Sequence, residues 1–136
     1  MSLEFTVMGK PRGKGRPRFN GHAYTDGETK AYEQRVGLEF LKAGGELLPK
    51  EIPVGVKVTA YFRVPKSYSK RRKALCRENL ELPLKKPDGD NILKIVCDAL
   101  NGLAYQDDTQ VAVMTVRKIY SKAEDFIRVK VWEVKL

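Results

Sequence analysis

Apolar and polar side chains alternate with period two in four stretches of this chain, and with helical spacing in two. The clearest alternation runs from Val54 to Val64, where Val54, Val56, Val58, Ala60 and Phe62 fall on one face of a predicted strand. Leu3 to Met8 alternates well enough for a first strand. Val111 to Tyr120 and Phe126 to Val134 alternate around a turn at Ser121 to Asp125, which predicts a β-hairpin with Trp132 partly buried in it. Helical spacing appears from Thr29 to Ala43, with Tyr32, Val36, Phe40 and Leu41 facing inward and Gly44-Gly45 as the stop. It returns from Asn91 to Asn101, where Ile92, Leu93, Ile95, Val96, Ala99, Leu100 and then Leu103 make a broad apolar face. Asn91, Lys94, Asp98 and Asn101 leave only a narrow polar stripe on the other side.

A short helix through Arg77 completes the order β-α-β-(short α)-α-β-β. That order predicts an α+β fold, one domain over residues 1–136, with helices against a mixed or antiparallel sheet. No repeat, linker or low-complexity segment divides it, and 136 residues bury a real core but are too few for two.

Charge changes the picture next. Twenty-six Lys and Arg against seventeen Asp and Glu give a net charge of +9, a surplus that favours a polyanionic partner. Much of it lies in two runs. The first, Gly9 to Phe19, holds Lys10, Arg12, Lys14, Arg16 and Arg18 with no acidic residue and five Gly or Pro. Such a loop can lay charge along a phosphate backbone. It lacks the Gly-Lys-Ser/Thr ending of a nucleotide-binding loop, so no nucleotide cofactor is expected. The second, Pro65 to Lys73, carries Lys70, Arg71, Arg72 and Lys73 and reads as a DNA-tracking arm leading into the short helix. A solvated basic surface is the plainer alternative for both.

His22, the single histidine, sits in a predicted turn without a partner and is expected to be idle. Cys76 and Cys97 have neither metal-ligand spacing nor the density of a disulfide scaffold, which predicts reduced thiols. With no leader pattern and no apolar run able to cross a bilayer, the expected setting is cytoplasmic, with no membrane partner.

Against this basic background, Lys86 to Val111 gathers five aspartates. Asp88 and Asp90 bracket a glycine where the second long helix begins, and Asp90 or Asn91 is the predicted cap; Asn101-Gly102 ends the helix, and Asp107-Asp108 follow just before a strand. Hard divalent cations take oxygen ligands and keep several waters, so two or three carboxylates suffice. An EF-hand is excluded: counting from Asp88, its required Gly and Glu positions hold Leu93 and Ala99. Taken singly, these aspartates also read as a cap and turn formers.

Lys86-Pro87-Asp88-Gly89-Asp90-Asn91, then Lys94, then Asp98-Ala99-Leu100-Asn101-Gly102, then Asp107-Asp108-Thr109-Gln110-Val111 closely resembles the signature of the RusA family of Holliday junction resolvases. The N-terminal run is also similar to that of RusA-type proteins of Gram-positive bacteria and their phages.

The resemblance implies a homodimeric endodeoxyribonuclease that resolves four-way DNA junctions by paired symmetric nicks, dependent on magnesium, for which manganese can substitute. It implies Asp88, Asp90 and Asp108 as metal ligands with Asp107 as a possible helper, and Lys94 as the active-site lysine. Asp98 matches a motif position and can hold Lys94 from four residues away. Lys86 joins the DNA-contacting cations. A nuclease for flaps or single strands, and a DNA-binding protein without catalysis, stay open as alternatives.

Overall fold

The strand β4 (Val54–Arg63) is the axis of the fold, and its side chains explain why. Val54, Val56, Val58 and Ala60 have no exposed surface and Phe62 almost none. Burying a large aliphatic or aromatic side chain is worth about 1.5–3 kcal/mol, so the strand richest in such residues on one face takes the most enclosed place. In the computed structural model, which describes residues 2–15, 18–24 and 26–136, both edges of β4 are paired.

On one side β4 pairs antiparallel with β6 (Phe126–Glu133), which pairs antiparallel with β1 (Ser2–Met8). On the other side it pairs in parallel with β5 (Val111–Ser121), giving the order β1-β6-β4-β5 in a mixed sheet. The expected β5–β6 hairpin is therefore corrected: β4 lies between the two strands. Residues 122–125 arch over its end, and the Asp125 carboxylate accepts the Arg63 backbone N–H at 2.6 Å. A period-two pattern says which residues form strands; it is silent on which strand inserts between which. A parallel pair needs a long crossover, and α2 (Lys70–Arg77) and α3 (Gly89–Leu100) lie in that connection.

The first long helix, α1 (Gly27–Lys42), is capped by Asp26, whose carboxylate accepts the Thr29 N–H at 2.9 Å. It buries Tyr32, Val36 and Phe40 as expected, but Leu41 is 50% exposed. One residue beyond Phe40, Leu41 is rotated about 100° off the 32–36–40 stripe. A two-stranded ribbon, β2 (Arg18–Phe19) and β3 (Ala23–Tyr24), was not predicted; exposed His22 sits in its turn. Trp132 is half-buried, lying across Gly55.

Helix α3 starts two residues earlier than its periodicity suggested. Asp88 is the cap residue by backbone geometry, its carbonyl accepting the Ile92 N–H at 3.1 Å, yet its side chain makes no capping bond. Asp90 and Asn91 are already inside the first turn, so neither is the cap. The helix closes as expected, with Gly102 at φ +83°, the left-handed region that glycine tolerates. Ile92, Ile95, Val96 and Leu100 are fully buried between α1 and the β4–β5 half of the sheet. Among the described residues no helix is long and apolar enough to cross a membrane.

Candidate active site

Successive turns of α3 carry Asp90, Lys94 and Asp98 along one line, because residues four apart share a helix face. These three, with Leu93 and Cys97, form one wall of a cleft of about 230 Å3; Asp108, Val111 and Met114 at the start of β5 form the other. Asp88 is exposed at the mouth of α3 and does not line the cleft. Both it and Asp90 lie at the positive end of the helix dipole, where an anion is favoured.

The Asp107-Asp108 pair is held by the turn that follows. Asp107 caps the single 3-10 turn Asp108–Gln110, its carboxylate accepting the Thr109 N–H at 3.3 Å. Gln110 fastens that turn from both ends. Its side-chain oxygen accepts the N–H groups of Gln106 and Asp107 at 2.8 and 3.2 Å, and its amide donates to the carbonyls of Pro49 and Ile52 at 2.8 and 3.0 Å. The glutamine of the motif is thus a structural anchor. A hydrogen bond between the two carboxyls pushes Asp108 above the ordinary carboxylate value and holds Asp107 below it; the charges of Asp107 and Asp98 push Asp108 up further. Burial pushes the Cys97 thiol up to about 11, so it stays protonated at neutral pH.

Behind the cleft is a charge network that the sequence did not announce. Lys14 donates to Glu33 at 2.7 Å and pairs with Asp98 at 3.2 Å, while Lys94 stands 3.8 Å from the same Asp98 oxygen. Only 14% of the Lys14 side chain is exposed. The N-terminal loop is seated to deliver it: the Lys14 N–H donates to the Asn91 carbonyl at 2.9 Å, and a Cβ on Gly13 would stand 2.9 Å from that of Pro87. Glu33 left no signal in the sequence, being one more acid on the polar side of an amphipathic helix.

The other sequence-selected cations divide into engaged and open. Arg12 pairs with Glu28 at 3.1 Å and Asp26 at 3.6 Å. Arg72 forks onto Glu81 at 2.9–3.0 Å and lies over the Tyr68 ring, 3.6 Å from its centroid. Lys10 and Lys86 are exposed and border a shallow groove with Arg35, a residue the sequence reading passed over. Lys70 and Arg71 are exposed on the first turn of α2, and Lys73 is half-buried. Arg16 lies outside the described residues, and Arg18 is described only by its backbone in β2.

The donors at the cleft are hard carboxylate oxygens, a kind that fits magnesium or manganese. Among the described residues, no three His, Cys, Asp or Glu side chains are close enough to grasp one ion together. Magnesium is commonly held by one or two carboxylates plus water and substrate phosphate, a requirement that Asp90 and Asp108 on facing walls fit.

The uncharacterized protein YqaN of Bacillus subtilis (strain 168) is 39% identical over 142 residues, an alignment covering 97% of this chain and 96% of YqaN. The endodeoxyribonuclease RusA family matches residues 5–132, a span that takes in the N-terminal loop bearing Lys14, the acidic cleft and nearly all of the sheet. With nearly the full chain inside that match, the protein belongs to the RusA family of endodeoxyribonucleases.

Proposed function

We propose that this endodeoxyribonuclease resolves four-way DNA junctions by paired, symmetric nicks, with magnesium as its metal and two copies of the chain acting together. The observation that carries the reading is the cleft itself, where Asp90, Lys94, Asp98 and Asp108 from two separate elements line one cavity of a chain with net charge +9. Carboxylates beside DNA repel phosphate unless a cation stands between, so a basic nucleic-acid protein has no use for an acidic cleft except as a metal-dependent centre. Branched DNA is the substrate of the family, and a junction with two equivalent strands calls for two equivalent sites.

A divalent ion bound here supplies an acidified water and a counter-charge for the phosphate. Asp90 and Asp108 would hold it from opposite walls, and Asp88, which stands outside the cleft with a carboxylate free of capping duty, would be the donor nearest the helix mouth. Asp107 tunes Asp108 through their shared hydrogen bond. Lys94, the exposed ammonium of the cleft, meets a non-bridging phosphate oxygen as negative charge grows there. Asp98 positions it from one turn away.

The test is cleavage of a labelled four-way junction beside matched duplex and flap substrates, with magnesium or EDTA, using the wild type and Asp90→Asn. Symmetric, magnesium-dependent nicking of the junction, lost in Asp90→Asn while binding survives, is the expected result. Cutting confined to the flap would keep the centre and change the substrate; tight binding without cutting under any divalent metal would overturn the assignment of the centre.

A further inference from the structure

At the opposite end of β5 from the acidic cleft, Arg63, Lys66, Lys73, Arg77 and Lys122 converge on a groove of about 400 Å3 whose only acidic lining residue is Glu124. These cations come from the end of β4, the loop after it, α2 and the β5–β6 arch. No ion pair to a described residue neutralises any of them, unlike Lys14, Arg12 and Arg72. Five like charges around one concavity repel one another, which a protein tolerates where a polyanion relieves the repulsion. Sequence gave no hint of the convergence, because Arg63 and Lys122 are separated by 59 positions and meet only through the parallel pairing that sets Arg63 beside Ser121.

We propose that this groove is a second DNA site, gripping the phosphate backbone of a duplex arm whose scissile phosphate lies in the acidic cleft. The inference rests on the nuclease reading above and adds where the arm runs. Met114 in the cleft wall and Ser121 beside the groove stand seven positions apart on β5, about 23 Å at ~3.3 Å per residue. At ~3.4 Å per nucleotide that is about seven steps along one strand. The interval is itself basic. Lys118 of β5 donates to the Lys85 carbonyl at 2.5 Å, and the ammonium groups of both lie 5.6 Å from the Phe62 ring, so positive charge continues from cleft to groove. A regularly spaced polyanion of fixed direction matches such a line of charge; a single small anion would leave most of it unused.

The experiment measures binding of junctions with arms of about 20 and about 5 base pairs, and of a linear 20-base-pair duplex, in calcium to hold off cleavage. The proteins are the wild type, the triple variant Lys66→Ala/Arg77→Ala/Lys122→Ala, and Glu124→Gln. The triple variant should bind the long-armed junction and the duplex at least about tenfold more weakly, and lower the salt slope by about 2 to 3 through three lost phosphate contacts. The short-armed junction, which does not reach the groove, should lose much less. Glu124→Gln should tighten binding to long arms, an effect that a damaged fold cannot imitate. Equal losses on long and short arms, or long-arm binding unchanged in both variants, would overturn the groove as an arm site, as would weakened heparin binding with DNA binding intact. A wild type that nicks no branched DNA in magnesium would sink the resolvase reading; the groove would still declare itself on the linear duplex.

Discussion

Two basic runs that look alike in the sequence are used in opposite ways. In the first, two of the described cations are paired with the protein itself: Lys14 is locked between Glu33 and Asp98, and Arg12 between Asp26 and Glu28. The second, from Pro65 to Lys73, turns all its cations but Arg72 toward solvent or toward the groove at the end of β4, where Arg77 of the same helix joins them. What separates them is the supply of carboxylates nearby. The first run lies against α1 and α3, where Asp26, Glu28, Glu33 and Asp98 meet it, while the second packs beside the cationic end of the sheet. A charge run therefore has no fixed meaning until its neighbours are known: paired, it shapes a site; unpaired, it reaches for a ligand.

The strongest way to break that contrast is Lys14→Met. Glu33 and Asp98 would then face each other without the ammonium between them, and Asp98 would draw Lys94 in more tightly. Single-turnover cleavage should fall about 10- to 100-fold, the scale for a misplaced charge at a phosphoryl centre, while junction binding changes less than about threefold. If binding collapses and cleavage of bound DNA does not, Lys14 is a DNA contact after all and the two runs are alike. Denaturation should show about 1–2 kcal/mol of lost stability, from two partly buried acids deprived of a partner. Burial tends to lower the Lys14 pKa, but hydrogen bonds to Glu33 and Asp98 outweigh it and raise the value above 10.5. A group with a raised folded pKa contributes fully below its unfolded value and loses that contribution as pH climbs through the folded one. The stability gap between wild type and Lys14→Met should accordingly be flat from pH 7 to about 10 and narrow only above 10.5.

How far this was legible beforehand follows from what each signal encodes. Period-two and helical spacing record which face of an element is buried, so the four strands of the main sheet, both long helices and the stripe Asn91, Lys94, Asp98, Asn101 were readable. Those signals carry no information on strand order, and the hairpin expected of Val111 to Val134 failed for that reason. The acidic segment was legible because its aspartates and Lys94 are close in sequence. Glu33 and Lys14 were not, since they meet Asp98 only when α1 and the N-terminal loop pack on α3. The groove escaped notice for the same cause, its cations being gathered by a parallel strand pair.

Within the second run, a smaller effect separates Lys70 and Arg71 from Arg72. Lys70 and Arg71 stand exposed on the opening turn of α2, where positive charge also opposes the helix dipole. Replacing both with Ala should weaken junction binding about three- to tenfold and lower the salt slope by at most about 2, with no fall in Tm. A drop in Tm with binding unchanged would mean that these residues, too, serve the fold.

Arg72 should give the smallest DNA effect of the run and the reverse pattern. Its guanidinium is committed to two oxygens of Glu81 and to the face of Tyr68, a geometry that fixes the start of α2 against the loop that follows it. Half of the side chain remains in solvent, so screening keeps the contribution small. Arg72→Ala should lower Tm by no more than a few degrees and leave the salt slope of junction binding where it was, because no phosphate contact is removed. Arg72→Lys discriminates further: it keeps the charge but loses the planar fork and most of the stacking, so it should resemble Ala in Tm. Were Lys to restore full stability, charge alone would hold Glu81. Were Ala to cut the slope by about one, Arg72 would leave Glu81 for a phosphate when DNA arrives, and the carboxylate beside it would be a gate on the second run, not a lock.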